Sequence, residues 1–232
     1  MGNNAISVKN GKMTPPEDRN PIKAPVRPPL LYFSIYYLDK NNSFKKAAET
    51  KEREIIKSSK WNQSKDAYIA IEVLTESDFL AAWDRIANVA DRDGRVIAEG
   101  HLFTHASKPG GESSGLEFAA IPGTGDGTLD KADLMRLPVL PWRKTGELVL
   151  YGCNTSRTGE RREWTPAQIF ADTQKVKTTG QPAFSDFSNR PDKYSRISSD
   201  SENVYLFPFH RGQNGRFGNG SRYPSQSFEP TP

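Results

Sequence analysis

Cysteine is all but absent from this sequence: Cys153 is the one thiol in 232 residues, and histidine occurs three times. A single cysteine excludes an intrachain disulfide framework and any zinc site built on two or four thiolates. His101 and His105 are four residues apart, but they stand in a strand pattern and not on the helix a zincin uses, and His210 is far from both in sequence, so neither a metal site nor another cofactor is expected. Long apolar runs are missing too. No stretch reaches the roughly 18 residues that would cross a bilayer, so no membrane insertion is expected. Nor is charge of one sign in large excess, since 32 Lys+Arg against 28 Asp+Glu leave a net charge of +4. The basic residues are scattered among acids, apart from small groups such as Arg157, Arg161 and Arg162. No basic stripe interleaved with stacking aromatics is present, which argues against a nucleic-acid partner. The start, Met1-Gly2-Asn3-Asn4-Ala5, has neither the charged nor the apolar region of a signal peptide, and Ile6 stands where myristoylation needs Ser or Thr. A cytoplasmic location where the protein is made follows as the expectation, with export by a leaderless route left open.

What is present falls into three parts. Residues 1–29 hold six prolines and little apolar content, which reads as an extended, disordered leader or linker. Residues 210–232 hold four Gly and three Pro without periodicity and read as an irregular tail, which Phe217, Tyr223 and Phe228 can fasten to the body. Between them, residues 30–209 alternate strand and helix patterns. The spacing predicts strands over 30–38, 67–74, 96–104, 147–152, 182–188 and 204–209. A helix runs from a Ser43 cap to about Ser58, and a second follows the capping-box-like Thr75-Glu-Ser-Asp78 to Val89. Asp130-Lys-Ala-Asp133 begins a short helical turn. Thr165-Pro166-Ala-Gln168 supplies an N-cap and a first-turn proline for a helix burying Ile169, Phe170 and Val176. Such alternation predicts an α/β fold with a mainly parallel sheet.

In open parallel sheets, reactive groups gather beyond the carboxyl ends of strands. His105 closes the strand 96–104, and Cys153 closes the strand 147–152. Parallel neighbours would put imidazole and thiol on one edge, where a thiolate attacks an acyl carbon and the imidazole activates it or protonates the leaving amine. Backbone N–H groups in the turn after the Cys strand are candidates for an oxyanion hole. The competing reading of Cys153 is a packed core thiol. His101 shares a strand face with His105 and is the rival imidazole, better suited to a satisfied core histidine.

The wording around both residues is more specific. His105 stands in Gly100-His-Leu-Phe-Thr-His105-Ala-Ser, and Cys153 in Leu148-Val-Leu-Tyr-Gly152-Cys153-Asn-Thr-Ser. A hydrophobic strand ending in His, followed about fifty residues later by one ending in a small residue and Cys, resembles the caspase-like (clan CD) cysteine peptidases. That group includes caspases, gingipains, separases and bacterial CHAT domains, and the Cys-Asn-Thr wording is most similar to the bacterial CHAT-like branch. The resemblance covers about residues 30–209, with only the two strand ends motif-specific. It implies a three-layer caspase-like sandwich, a thiol protease with His105 as acid/base and Cys153 as nucleophile, and a protein or peptide substrate. The family usually carries Gly directly after the His, where a backbone N–H helps form the oxyanion hole. Here that position is Ala106, which keeps its N–H, so Ala106 and Cys153 are the oxyanion-hole candidates.

Specificity would fall to loops on the same sheet edge. Asp186 and Asp192, with Asp200 and Glu202, are candidates to select a basic side chain, against the plainer reading of solvated loop carboxylates. Loops 106–128 and 154–164 are expected to border the cleft. Gly111-Glu-Ser113-Ser-Gly115 matches the G-x-S-x-G elbow but lacks its strand and helix, so a loop is expected. The Gly-rich 212–220 segment opens no helix, and 123–127 has too few carboxylates for a calcium loop. Three functions stay open: a caspase-like endopeptidase, of a kind suited to a bacterial effector or toxin with an inhibitor or immunity protein as partner; an inactive binding or scaffold module of the same fold; and another acyl-transfer enzyme using the same dyad.

Overall fold

A computed structural model describes residues 27–106, 115–157, 164–209 and 223–231. The expectations for 1–26, the elbow-like 111–114, Arg161 and Arg162, His210 and the Gly-rich 212–220 lie outside the described residues. In chain order the elements are β1 (Leu30–Tyr37), α1 (Ser43–Lys57), β2 (Ala67–Val73), α2 (Glu76–Arg92), β3 (Val96–Phe103), β4 (His105–Ala106), β5 (Leu116–Glu117) and β6 (Thr128–Leu129). Then follow α3 (Lys131–Arg136), β7 (Trp142–Leu150), α4 (Pro166–Gln174), β8 (Lys177–Gly180), β9 (Phe184–Ser188), β10 (Tyr205–Phe209) and β11 (Gln226–Phe228).

The fold is α/β, with a six-stranded, mainly parallel central sheet in the order β11-β8-β7-β3-β1-β2. All neighbouring pairs from β2 to β8 are parallel, and β11 closes the β8 edge antiparallel. A strand buried on both faces needs apolar side chains at every position, and β1 (Leu-Leu-Tyr-Phe-Ser-Ile-Tyr-Tyr) supplies nearly that. Its residues Leu31, Phe33 and Ile35 pack with Phe79, Trp83 and Ile86 of α2 and Phe170 of α4. Its alternate residues Leu30, Tyr32 and Tyr36 meet α1 instead, at Ile55, Phe44 and Ala47. The period of two along the strand thus divides the helices between the two faces.

Several boundaries differ from the sequence reading, each for a tertiary reason. Ordered packing begins before residue 30: the Arg27 guanidinium donates at 2.9 and 2.8 Å to Asp66, whose carboxylate also accepts the Leu30 and Asn62 N–H groups. Strand β7 starts at Trp142 rather than 147, because Trp142 pairs with Ile97 of β3. Lys175 adopts a left-handed φ of 53° and ends α4, so Val176 belongs to the connection into β8 and not to the helix. The weakly apolar Lys177-Thr-Thr-Gly180 is a sheet strand because β7 and β11 pair with both of its edges. Strands β9 and β10 stand apart as an antiparallel pair. Pro208 in β10 has no N–H to donate, which confines that strand to an edge. The tail expected to be irregular supplies β11, and Phe228 packs against the core.

Candidate active site

Parallel β1, β3, β7 and β8 end on one edge, so Tyr37, His105, Cys153 and Gln181 emerge there together. β3 and β7 are direct neighbours, with His101 opposite Val149 and Leu102 opposite Leu150. The pairing runs past both strand ends: the Tyr151 N–H donates to Leu102 O at 2.9 Å, and the Phe103 and Tyr151 rings stack at 4.3 Å. Beyond them the two segments touch. A Cβ on Gly152 would lie 2.9 Å from Ala106 Cβ and 3.0 Å from Thr104 O, so only glycine lets the Cys-bearing turn close on the His-bearing segment.

Cys153 is half-buried in the turn that follows. Its Sγ accepts the Ser185 N–H at 3.3 Å, and the thiol reaches Ser185 O at 3.7 Å. Ser185 thus offers the sulfur both a donor and an acceptor through its backbone. The next residue, Asn154, takes a left-handed φ of 58°, bending the chain sharply after the cysteine. Segment 181–185 cradles this turn. Asn154 N–H donates to Ala183 O at 2.9 Å, Ser156 N–H to Gln181 O at 3.1 Å, and Gln181 N–H to Thr155 Oγ1 at 2.9 Å. Thr155 Oγ1 in turn donates to Gly152 O at 3.0 Å. Buried side-chain atoms without a hydrogen-bond partner among the described residues gather here: Thr104 Oγ1, both amide atoms of Asn154, Ser156 Oγ and Ser185 Oγ. Such groups are costly and rare in a core kept only for packing.

His105 is exposed on β4, directly opposite Glu117 of β5. Its imidazole packs edge-on against Phe44 at 4.9 Å and Tyr37 at 5.4 Å, and it makes no hydrogen bond to Cys153. It borders a cavity of about 280 Å³ shared with Tyr37, Glu117, Phe118, Asp126 and Thr128. His101 lies mid-strand and is 2% exposed. Burial pushes its imidazole pKa down, against the Glu99 carboxylate 3.7 Å from Nε2, while Nδ1 sits 3.4 Å from the Tyr151 hydroxyl. His101 is a core histidine one layer beneath the edge.

The structure therefore brings the His105-Ala106 and Gly152-Cys153 segments to one place, and Asp186 lies beside them, between Ser185 at the sulfur and Phe187 against the Phe44 ring that packs on His105. Asp186 spends Oδ1 on the Phe187 N–H, and exposed Asp192 is paired with Arg190 at 3.1 Å. Glu117, Asp126, Gln181 and Ser185 are the edge residues that sequence reasoning passed over. Each arrives through strand register or a loop contact, for which no local signal exists. Among the described residues no group of three or more His, Cys, Asp or Glu is placed to hold a metal ion, and no helix is long and apolar enough to cross a membrane. No protein-family model matches this chain, and no curated protein matches it.

Proposed function

We propose that this chain is a caspase-like cysteine peptidase of the CHAT-like type, with Cys153 as nucleophile and His105 as general acid and base. The observation that carries the proposal is the contact of the Gly152-Cys153 turn with the Thr104–Ala106 segment at the carboxyl edge of a parallel sheet. The division of helices, α1 on one face and α2 with α4 on the other, supports the three-layer sandwich that this reading requires. In the reaction, Cys153 passes its thiol proton to His105, and the thiolate attacks the scissile carbonyl carbon, forming a C–S bond. The carbonyl oxygen takes the negative charge and is met by the N–H groups of Ala106 and Cys153. As the C–N bond breaks, His105 passes a proton to the leaving amine. Water then attacks the acyl-sulfur carbon, gives its proton to His105, and releases the acid while the thiolate re-forms. The reading extends to a bacterial effector or toxin restrained by an inhibitor or immunity protein.

One observation favours a second reading, a caspase-like scaffold without turnover: the His105 ring rests on Tyr37 and Phe44 rather than on the thiol. Hydrolysis of a peptide library and self-cleavage of the full chain distinguish the two. Cys153→Ala and His105→Ala are each expected to abolish both activities. Activity in Cys153→Ala equal to the unmodified chain removes Cys153 as nucleophile, and an unmodified chain without turnover leaves the scaffold.

A further inference from the structure

We propose that Gln181 is a positioning residue that couples the C-terminal strand β11 to the Cys153 turn, so that thiol reactivity depends on residues 223–231 being seated on β8. The inference rests on the reading of Cys153 as nucleophile. Gln181 is 2% exposed and lies immediately after β8, level with the end of β7. Its backbone holds the turn from two sides, through the bonds to Thr155 Oγ1 and from the Ser156 N–H described above. Its side chain joins two further elements. Nε2 donates to Leu150 O at 3.2 Å, fixing the last residue of the strand that carries Cys153, and Oε1 accepts the Ser225 hydroxyl at 3.1 Å. An amide is required for this, because it donates and accepts at once; a carboxylate cannot donate, and an apolar chain does neither.

The strand on the far side of Ser225 is firmly held. Gln226, Ser227 and Phe228 pair with Gly180, Thr179 and Thr178, and the Ser227 and Thr179 hydroxyls meet at 2.8 Å. Before it, Tyr223 N–H donates to Pro208 O at 2.9 Å, which ties the segment to β10. After it, Thr231 donates through N and Oγ1 to Asp172 of α4, at 2.9 and 2.6 Å. The C-terminal segment therefore bridges β10, β8 and α4. Thr179 links Ser227 to Glu147 within β7, and Gln181 carries the segment's position to the end of that strand, next to the Cys153 turn. Ser185, whose N–H meets the sulfur, lies four residues further along the same cradle.

The test is the rate of Cys153 alkylation by iodoacetamide across a pH series. It is run on the full chain, on Gln181→Leu, on Ser225→Ala and on a chain ending at residue 222. Gln181→Leu and the shortened chain are expected to slow alkylation at neutral pH about tenfold and to move the profile upward in pH, as loss of one buried hydrogen bond would. Ser225→Ala, at an exposed residue, is expected to slow it about two- to threefold with the fold intact. Thr75→Ala, which weakens a distant helix cap, serves as the control for mere loss of stability and leaves the profile in place. Unchanged profiles in Ser225→Ala and in whichever of the other two folds overturn the coupling. An unmodified chain whose thiol reacts like a free cysteine overturns the nucleophile reading instead, so the two failures are distinguishable.

Discussion

Single residues decide how closely the chain can pack, and Gly152 and Gly100 show it at the site and in the sheet behind it. Gly152 admits Ala106 and Thr104, as described, and Gly100 in the centre of β3 admits the Phe33 ring from β1. A Cβ at Gly100 would overlap three atoms of that ring, which is itself fully buried between Trp83 and Trp142. Phe33 cannot move away without displacing those neighbours. Gly100→Ala is expected to lower stability by about 2 kcal/mol, measured by urea unfolding, since overpacking a dense core costs on that order. A cost below a few tenths of a kcal/mol would mean that the core yields there. Neither glycine announces this role in the sequence, because the crowding atoms come from strands far away in the chain.

At the scale of elements, helices were more legible than strands. Thr75 accepts the Asp78 N–H while the Asp78 carboxylate accepts the N–H groups of Thr75 and Leu74, a capping box of the kind its sequence spells out. Those bonds also hold the Asp78 carboxyl below its ordinary value. Thr75→Ala is expected to cost about 1 kcal/mol in chemical unfolding. The Asp130 and Thr165 caps were equally readable, because a cap is a contact within four residues. Strands are made by partners distant in sequence. β8 has almost no apolar signal, and β11 lies in a Gly- and Pro-rich tail, yet each is fixed by a neighbour that satisfies its backbone. For the same reason the cradle of Cys153 was invisible: Gln181 and Ser185 lie about thirty residues from the turn they support.

For the whole molecule, buried ionisable groups set the response to acid. Burial holds His101 neutral in the fold, so its folded pKa lies below the ordinary 6.5. Below that value the unfolded chain binds a proton that the folded chain refuses. Stability is therefore full above pH 6.5 and is lost as pH falls through it toward the folded value. Asp66 behaves similarly at lower pH. Desolvation opposes its ionisation, but hydrogen bonds from Arg27, Asn62 and Leu30 outweigh this and hold it below its ordinary 3.8, where a second loss begins. Thermal melting from about pH 7 to 5 is expected to fall less steeply in His101→Gln than in the unsubstituted chain, the carboxylates being common to both. Equal slopes would show that His101 takes up its proton within the fold. The sequence by itself determined the alternation of strand and helix, the caps, and the two strand ends that carry His105 and Cys153, because periodicity and capping are local. Only the tertiary structure decided that those ends are neighbours, that Ser185 meets the sulfur and Gln181 the turn that follows it, and that the C-terminal residues return to the sheet. Backbone pairing between distant segments fixes these, and no local pattern encodes which distant partner a strand will meet.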